Sequence, residues 1–261
     1  MDLMLRGKTA VVTASSKGLG RAVAEQLAAE GADLLLCSRS EEAIRKTADD
    51  IHKRYGVRVE SLAVDVGKAG DIARLVETAA ARFETVDALV CNAGGPPSGS
   101  FLSFDDEAWE KAFFGNMMSV VRLIRGFHPL LARQGGRIVT VASTSVKTPI
   151  PGLVLSNTLR TGVVGLMKTL SIEFAPDGIL LNTVCPGRIM TDRIVELDSI
   201  RAERDQVPLE AVQEKLRQDI PLGRYGEPEE LATIAAYLLS PRNSYMTGSV
   251  FYVDGGAVKS L

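Results

Sequence analysis

The sequence predicts an α/β fold of the doubly wound type, one parallel sheet of seven strands covered by helices on both faces. Three observations predict it. Seven apolar runs of five to seven residues recur along the chain, each too short for a helix. Between them lie longer stretches whose apolar residues return every three or four positions, the spacing of a helix with one buried side. The runs around Val11 and Leu35 are apolar without alternation, as strands covered on both faces must be. Strand–helix–strand repetition of this kind implies right-handed crossovers and a parallel sheet. At 261 residues the chain is read as a single domain, able to bury roughly three quarters of its extended surface without disulfide or metal staples.

The first strand is placed at residues 8–13. It runs into Thr13-Ala14-Ser15-Ser16-Lys17-Gly18-Leu19-Gly20, after which Leu19, Val23 and Leu27 share a helical face. Glycines in such a turn let backbone approach a pyrophosphate, and the helix amino terminus offers free N–H groups and a positive dipole end. The second strand, 33–37, ends in Cys37-Ser38-Arg39-Ser40. The position beyond it faces the adenosine ribose of a bound dinucleotide, where an acid would accept the 2′-hydroxyl and an arginine would accommodate a 2′-phosphate. Lys17 and Arg39 are cations and the first acid is Glu41, which favours NADP(H) over NAD(H).

The third strand is placed at 58–64, followed by a helix on Ile72, Leu75, Val76 and Ala79. The fourth, 86–91, leads into Gly94-Gly95-Pro96-Pro97-Ser98-Gly99, a stiff turn suited to shaping a substrate mouth. Trp109, Asn116, Met117 and Met118 belong to the next helical stretch, with Trp109 read as packing and the methionines as core. The fifth strand, 136–142, precedes a helix on Val163, Leu166, Leu170 and Phe174; the sixth is 179–185. Residues 188–221 are the longest break in the rhythm, charged and helical, before a helix at 227–239 and a seventh strand at 249–253. Ligands of a doubly wound sheet lie outside the carboxyl ends of its strands, so this excursion is read as a substrate lid.

Thirty basic and 32 acidic residues give a net charge of −2, which removes a bulk electrostatic case for nucleic acid or an anionic membrane as partner. No apolar run approaches the roughly 18 residues of a membrane span, and the start of the chain lacks a signal-peptide layout; the chain reads as soluble and cytoplasmic. Cys37, Cys91 and Cys185 each end an apolar run, and with no CxxC pair or Cys/His cluster they indicate packing rather than a disulfide framework or a metal site. His52 and His128 have no triad context.

Taken together these residues resemble the short-chain dehydrogenase/reductase family. Residues Thr13 to Gly20 are similar to its TGxxxGxG turn, with Ala14 in place of the first glycine. Asp65-Val66 resembles the pair that holds the adenine ring, and Cys91-Asn92-Ala93-Gly94 resembles NNAG with Cys91 replacing the first asparagine. Asn116 and Ser143 stand where the family's catalytic Asn and Ser do. Pro186-Gly187-Arg188-Ile189-Met190-Thr191 matches the PGxxxT segment that borders the nicotinamide, and Asp254-Gly255-Gly256 the closing turn. The resemblance implies a Rossmann-like sheet in the order 3-2-1-4-5-6-7, a small-molecule substrate, NADP(H) and a homotetramer. In that order the second and fourth strands, and the fourth and sixth, lie about two strand spacings apart, near 10 Å, so their cysteines are too far apart for a disulfide.

One departure matters most. The family's chemistry rests on a YxxxK helix thirteen residues after the serine, and counting from Ser143 lands on Ser156-Asn157-Thr158-Leu159-Arg160. Ser156 stands where the tyrosine would be and Arg160 where the lysine would be, and no tyrosine occurs between Tyr55 and Tyr225. A serine hydroxyl donates a hydrogen bond but is a far weaker acid than a phenol. Arg160 can hold a ribose, a carboxylate or an oxyanion, yet cannot relay a proton. Three readings follow: an oxidoreductase with a modified site built on Asn116, Ser143, Ser156 and Arg160; a dinucleotide binder without turnover; and a non-redox enzyme. The first leads, because the cofactor features, Ser15, Ser16, Ser38 and Ala93 among them, survive together with Asn116, Ser143 and Thr191. Arg160, in an otherwise apolar helix, is expected to face the ligand cleft, since a buried cation needs a partner.

Overall fold

The computed structural model of the chain describes residues 1–260. All seven expected strands form: β1 (Thr9–Thr13), β2 (Asp33–Ser38), β3 (Val59–Ala63), β4 (Ala88–Cys91), β5 (Arg137–Val141), β6 (Leu180–Pro186) and β7 (Val250–Val253). They pair in parallel in one sheet ordered β3-β2-β1-β4-β5-β6-β7, the order that the resemblance implied. Register is continuous through the centre, Ala10 lying between Leu34 and Ala88.

The unbroken apolar runs divide by alternation. Val12, Leu34 and Leu36 turn to the face covered by α1 (Gly18–Ala29), α2 (Glu41–Tyr55) and α9 (Pro228–Leu239), where they meet Val23, Leu27, Ile44 and Ala235. Val11, Leu35 and Leu89 turn to the opposite face, against Ile72 and Leu75 of α3 (Ala69–Arg82), Phe127 of α5 (Ser119–Leu131) and Val163 of α6 (Val154–Glu173). Both faces being dry, the central strands β1, β2 and β4 are apolar through their middles, which is why no period of two was visible there. Helix α2 shows how local sequence fixes the ends. Ser40 accepts from the Ala43 N–H, Glu41 and Glu42 occupy the first turn, and Gly56 stops the helix with φ +70°.

Two stretches differ from the simplest reading. The helix expected around Asn116 is two helices, α4 (Asp106–Phe113) and α5, joined by a π-helical turn over Phe114–Met118. The excursion at 188–221 folds into α7 (Asp192–Asp205) and α8 (Leu209–Gln218), which enclose a small core of Ala202, Val212, Leu216, Ile220 and Tyr225. Cys37, Cys91 and Cys185 are buried and free. No helix among the described residues is long and apolar enough to cross a membrane.

Candidate active site

The carboxyl ends of β1, β4, β5 and β6 open on one edge of the sheet, and the residues singled out in the sequence collect there. The turn after β1 is braced from β4. Thr13 Oγ1 accepts from the Asn92 N–H at 2.9 Å and donates to the Asn92 carbonyl at 2.7 Å, while Asn92 Nδ2 donates to the Ala14 carbonyl at 3.3 Å. Ala14 adopts φ +48°, a left-handed conformation that favours glycine. Gly20 is obligatory, since a Cβ there would stand 2.4 Å from the Ala14 oxygen. Lys17 precedes α1 without capping it, so the first-turn N–H groups at Gly18, Leu19 and Gly20 have no side-chain cap. That is the anion-binding end of a helix.

The Ser15 hydroxyl points inward, to the carbonyls of Val12 and Cys37, and Ser16 offers its carbonyl to Thr47. Ser38 is buried and bonds the Ser40 carbonyl, leaving Arg39 exposed just past β2. Lys17 reaches across the cleft to Asp192 at the start of α7, Nζ to Oδ2 2.9 Å, an ion pair exposed on both sides. Asp65 closes an Asx turn by accepting from the Gly67 N–H, with half-buried Val66 between them, and Ala93 and Gly94 follow β4 without further secondary structure. Past Pro186, Gly187 donates to the Val253 carbonyl, and a Cβ on it would stand 2.7 Å from Asp254. Ile189 is buried, and Thr191 packs its methyl group over Gly18.

Of the four residues read as catalytic, Asn116 and Arg160 line one cavity, whereas Ser143 and Ser156 are not part of its lining. Asn116 lies in the π-helical turn, where Nδ2 donates to the Ala112 carbonyl at 3.2 Å and Oδ1 is buried without a partner among the described residues. Such turns recur at functional sites because they re-aim a side chain without ending the helix. Ser143 lies two residues past β5 in extended geometry, its Oγ accepting from the Ser145 N–H at 3.1 Å. Ser156 is buried in the first turn of α6, and Arg160 follows one turn later on the same face. Arg160 points inward and lines the cavity. Its Nη1 donates to the Val141 and Ala142 carbonyls at 2.7 and 3.1 Å, the last acceptors of β5. The guanidinium therefore ties α6 to the strand that leads to Ser143. Asn92, Ala93, Asn116, Ala142 and Arg160 line one small cavity of about 10 Å³, room for a single water.

Burial pulls the Arg160 guanidinium down to about 10, with the neighbouring Arg193 cation pushing the same way. Burial raises the Cys185 thiol to about 11, although it accepts from the Ser143 N–H, so no thiolate forms beside the site near neutral pH. Several working residues had no distinct signal in the sequence. Arg193 of α7 donates Nη2 to the Pro96 carbonyl at 2.7 Å, joining the excursion to the Gly94–Gly99 mouth. Buried Asp198 accepts from Arg188 at 2.5 Å and from the Tyr225 hydroxyl at 2.8 Å, fastening α7 to the frame. In the sequence each was one charge among many on a helix of mixed sign.

A family model described as Enoyl-(Acyl carrier protein) reductase matches residues 13–258. The chain belongs to the short-chain dehydrogenase/reductase family. Among its relatives in that family, a 3-oxoacyl-(acyl-carrier-protein) reductase of Aquifex aeolicus is 32% identical over 257 residues, 98% of this chain and 99% of that protein. Dehydrogenase/reductase SDR family member 4 of Bos taurus is 34% identical over 98% of this chain and 89% of its own length. The short-chain dehydrogenase/reductase fold of the L-sorbose reductase from Gluconobacter frateurii, solved with NADPH and L-sorbose, superposes with a TM-score of 0.95, at 32% identity and full coverage of both chains.

Proposed function

We propose that the chain is an NADP(H)-dependent oxidoreductase acting on a small carbonyl or alcohol, or an enone, through an active site that lacks the family's tyrosine. The observation that carries this reading is the turn after β1. It joins an uncapped helix amino terminus to a glycine with no room for a Cβ, flanked by Lys17, which is ion-paired with Asp192, and by exposed Arg39, with no acid just past β2 before Glu41. When bound, NADP(H) supplies or removes the hydride. The first-turn N–H groups of α1 would hold its pyrophosphate, Lys17 and Arg39 the 2′-phosphate, and Asp65 and Val66 the adenine. Asn92, Ala93, Gly94 and Arg160 would border the nicotinamide ribose, with Pro186, Gly187, Ile189 and Thr191 against the ring. Relatives solved with NADPH support the choice of cofactor.

On the substrate side Ser143 and Ser156 donate to the reacting oxygen, and the Arg160 charge steadies the oxyanion. Positioned donors of this kind are the part of the machinery that survives loss of a general acid. The proton that balances the hydride comes from water, from the substrate or from another side chain such as Lys147, since Arg160 cannot relay one. In this reading residues 188–221 close over the substrate. The chain assembles as a homotetramer, a state consistent with Phe113, Phe114 and Ile172 lying exposed on α4 to α6.

The test is calorimetric titration with NADPH and, separately, NADH. NADPH is expected to bind at least tenfold tighter, with Lys17→Ala and Arg39→Ala each weakening NADPH about tenfold and NADH little. Equal affinity for both cofactors would sink the NADP(H) assignment; binding of neither by folded protein would sink the oxidoreductase.

A further inference from the structure

Two guanidinium groups flank the loop that follows β4. Arg160 lines the small cavity against Asn92 and Ala93, and Arg193 lies against Gly95, its Nε 3.5 Å from where a Cβ would stand, and holds the Pro96 carbonyl. The two come from opposite sides, one from the floor at α6 and one from the excursion above. Neither has a buried carboxylate partner among the described residues. Arg160 bonds only carbonyls, and its Nε and Nη2 have no partner among the described residues. Arg193 has one acid, Glu196, on its own helix at 3.1 Å and more than half exposed. Burial is what chiefly holds the Arg160 guanidinium below the usual arginine range, and the Arg193 charge adds to it in the same direction. Two cations that flank one loop with only one exposed acid beside them mark a place where an anion is taken up.

We propose that Arg193 and Arg160 clamp an anionic group of the substrate, so that the compound reduced or oxidised is an oxo or hydroxy acid, with Arg193 as the residue that selects it. This rests on the oxidoreductase reading for the chemistry but not for the clamp itself. The planar fork of arginine matches a carboxylate with two parallel bonds, and phosphate offers the same geometry. Arg193 also ties the excursion to the mouth. An acid bound there holds the two together, which couples recognition of the anion to closure over the carbonyl.

The experiment is calorimetric titration of the whole chain with malonate, and separately with inorganic phosphate, with and without saturating NADP⁺. Wild type is expected to bind malonate, Arg193→Gln to lose at least tenfold, and Arg193→Lys to recover only part of that loss. Glu196→Gln, which removes the competing acid, is expected to tighten malonate severalfold, a gain that a damaged fold would not produce. Phosphate binding that outruns malonate and disappears in Arg193→Gln keeps the clamp and makes the substrate a phosphate ester. Malonate binding unchanged in Arg193→Gln, or no binding of either anion by wild type, overturns the proposal. The NADP⁺ arm is read independently, so failure of the cofactor reading is seen there and failure of the clamp in the malonate arm.

Discussion

At position 156 a serine occupies the first turn of α6, buried and one helical turn from Arg160. The two make different contributions, and substitution separates them. Ser156→Ala removes a donor and no packing of consequence. It is expected to lower kcat on a working substrate about 10²-fold, the usual loss for one positioned donor to an oxyanion, with Tm unmoved. Arg160→Met removes the partner of two buried carbonyls, Val141 and Ala142, and is expected to cost about 1–3 kcal/mol of stability as well as activity. For a chain of this length that is a fall in Tm of several degrees by calorimetry. Unchanged turnover in both variants would remove the pair from the site. The sequence alone placed Arg160 inside, because a cation in Leu159-Arg160-Thr161-Gly162-Val163 needs a partner. It did not say that the first partners are strand-end carbonyls, since backbone acceptors leave no trace in side-chain pattern.

Among the elements, strands and sheet order were legible because each strand is a short apolar run bounded by turn residues, and no observed strand end departs from its expected position by more than two residues. The π-helical turn at Phe114–Met118 was not legible. One extra residue in a helix leaves the hydrophobic period almost intact, and only the aim of Asn116 changes. The excursion was legible as helical and charged, but its anchoring was not. Asp198 is 1% exposed and satisfied by Arg188 and Tyr225, two residues 10 and 27 positions away. Asp198→Asn is expected to cost about 2–3 kcal/mol locally, because it strips a half-buried guanidinium of its counter-charge. Hydrogen exchange should rise across 188–221 while the central strands stay protected. Uniform exchange, or none of the increase, would show that α7 and α8 are held by their apolar core alone.

Across the whole molecule, three buried thiols set the response to alkali. Burial lifts Cys37 and Cys91 to about 12 and Cys185 to about 11. A raised folded-state pKa means that the unfolded chain gives up its protons first. The stability is complete below about pH 9 and drains as pH climbs toward 12, by about 1 kcal/mol per thiol at pH 10. Tyr225, raised to about 12 by burial, adds to the loss only above pH 10. Tm measured at pH 8 and pH 10 should differ markedly, and less so in Cys91→Ala; equal values would show that the thiols are not dry. The exposed bridge between Lys17 and Asp192 has a consequence at the same scale. A phosphate arriving at Lys17 exchanges one anion for another instead of neutralising a bare cation. Added salt weakens the outgoing pair as well as the incoming one, so cofactor affinity should decline with ionic strength more gently than a count of its cations suggests.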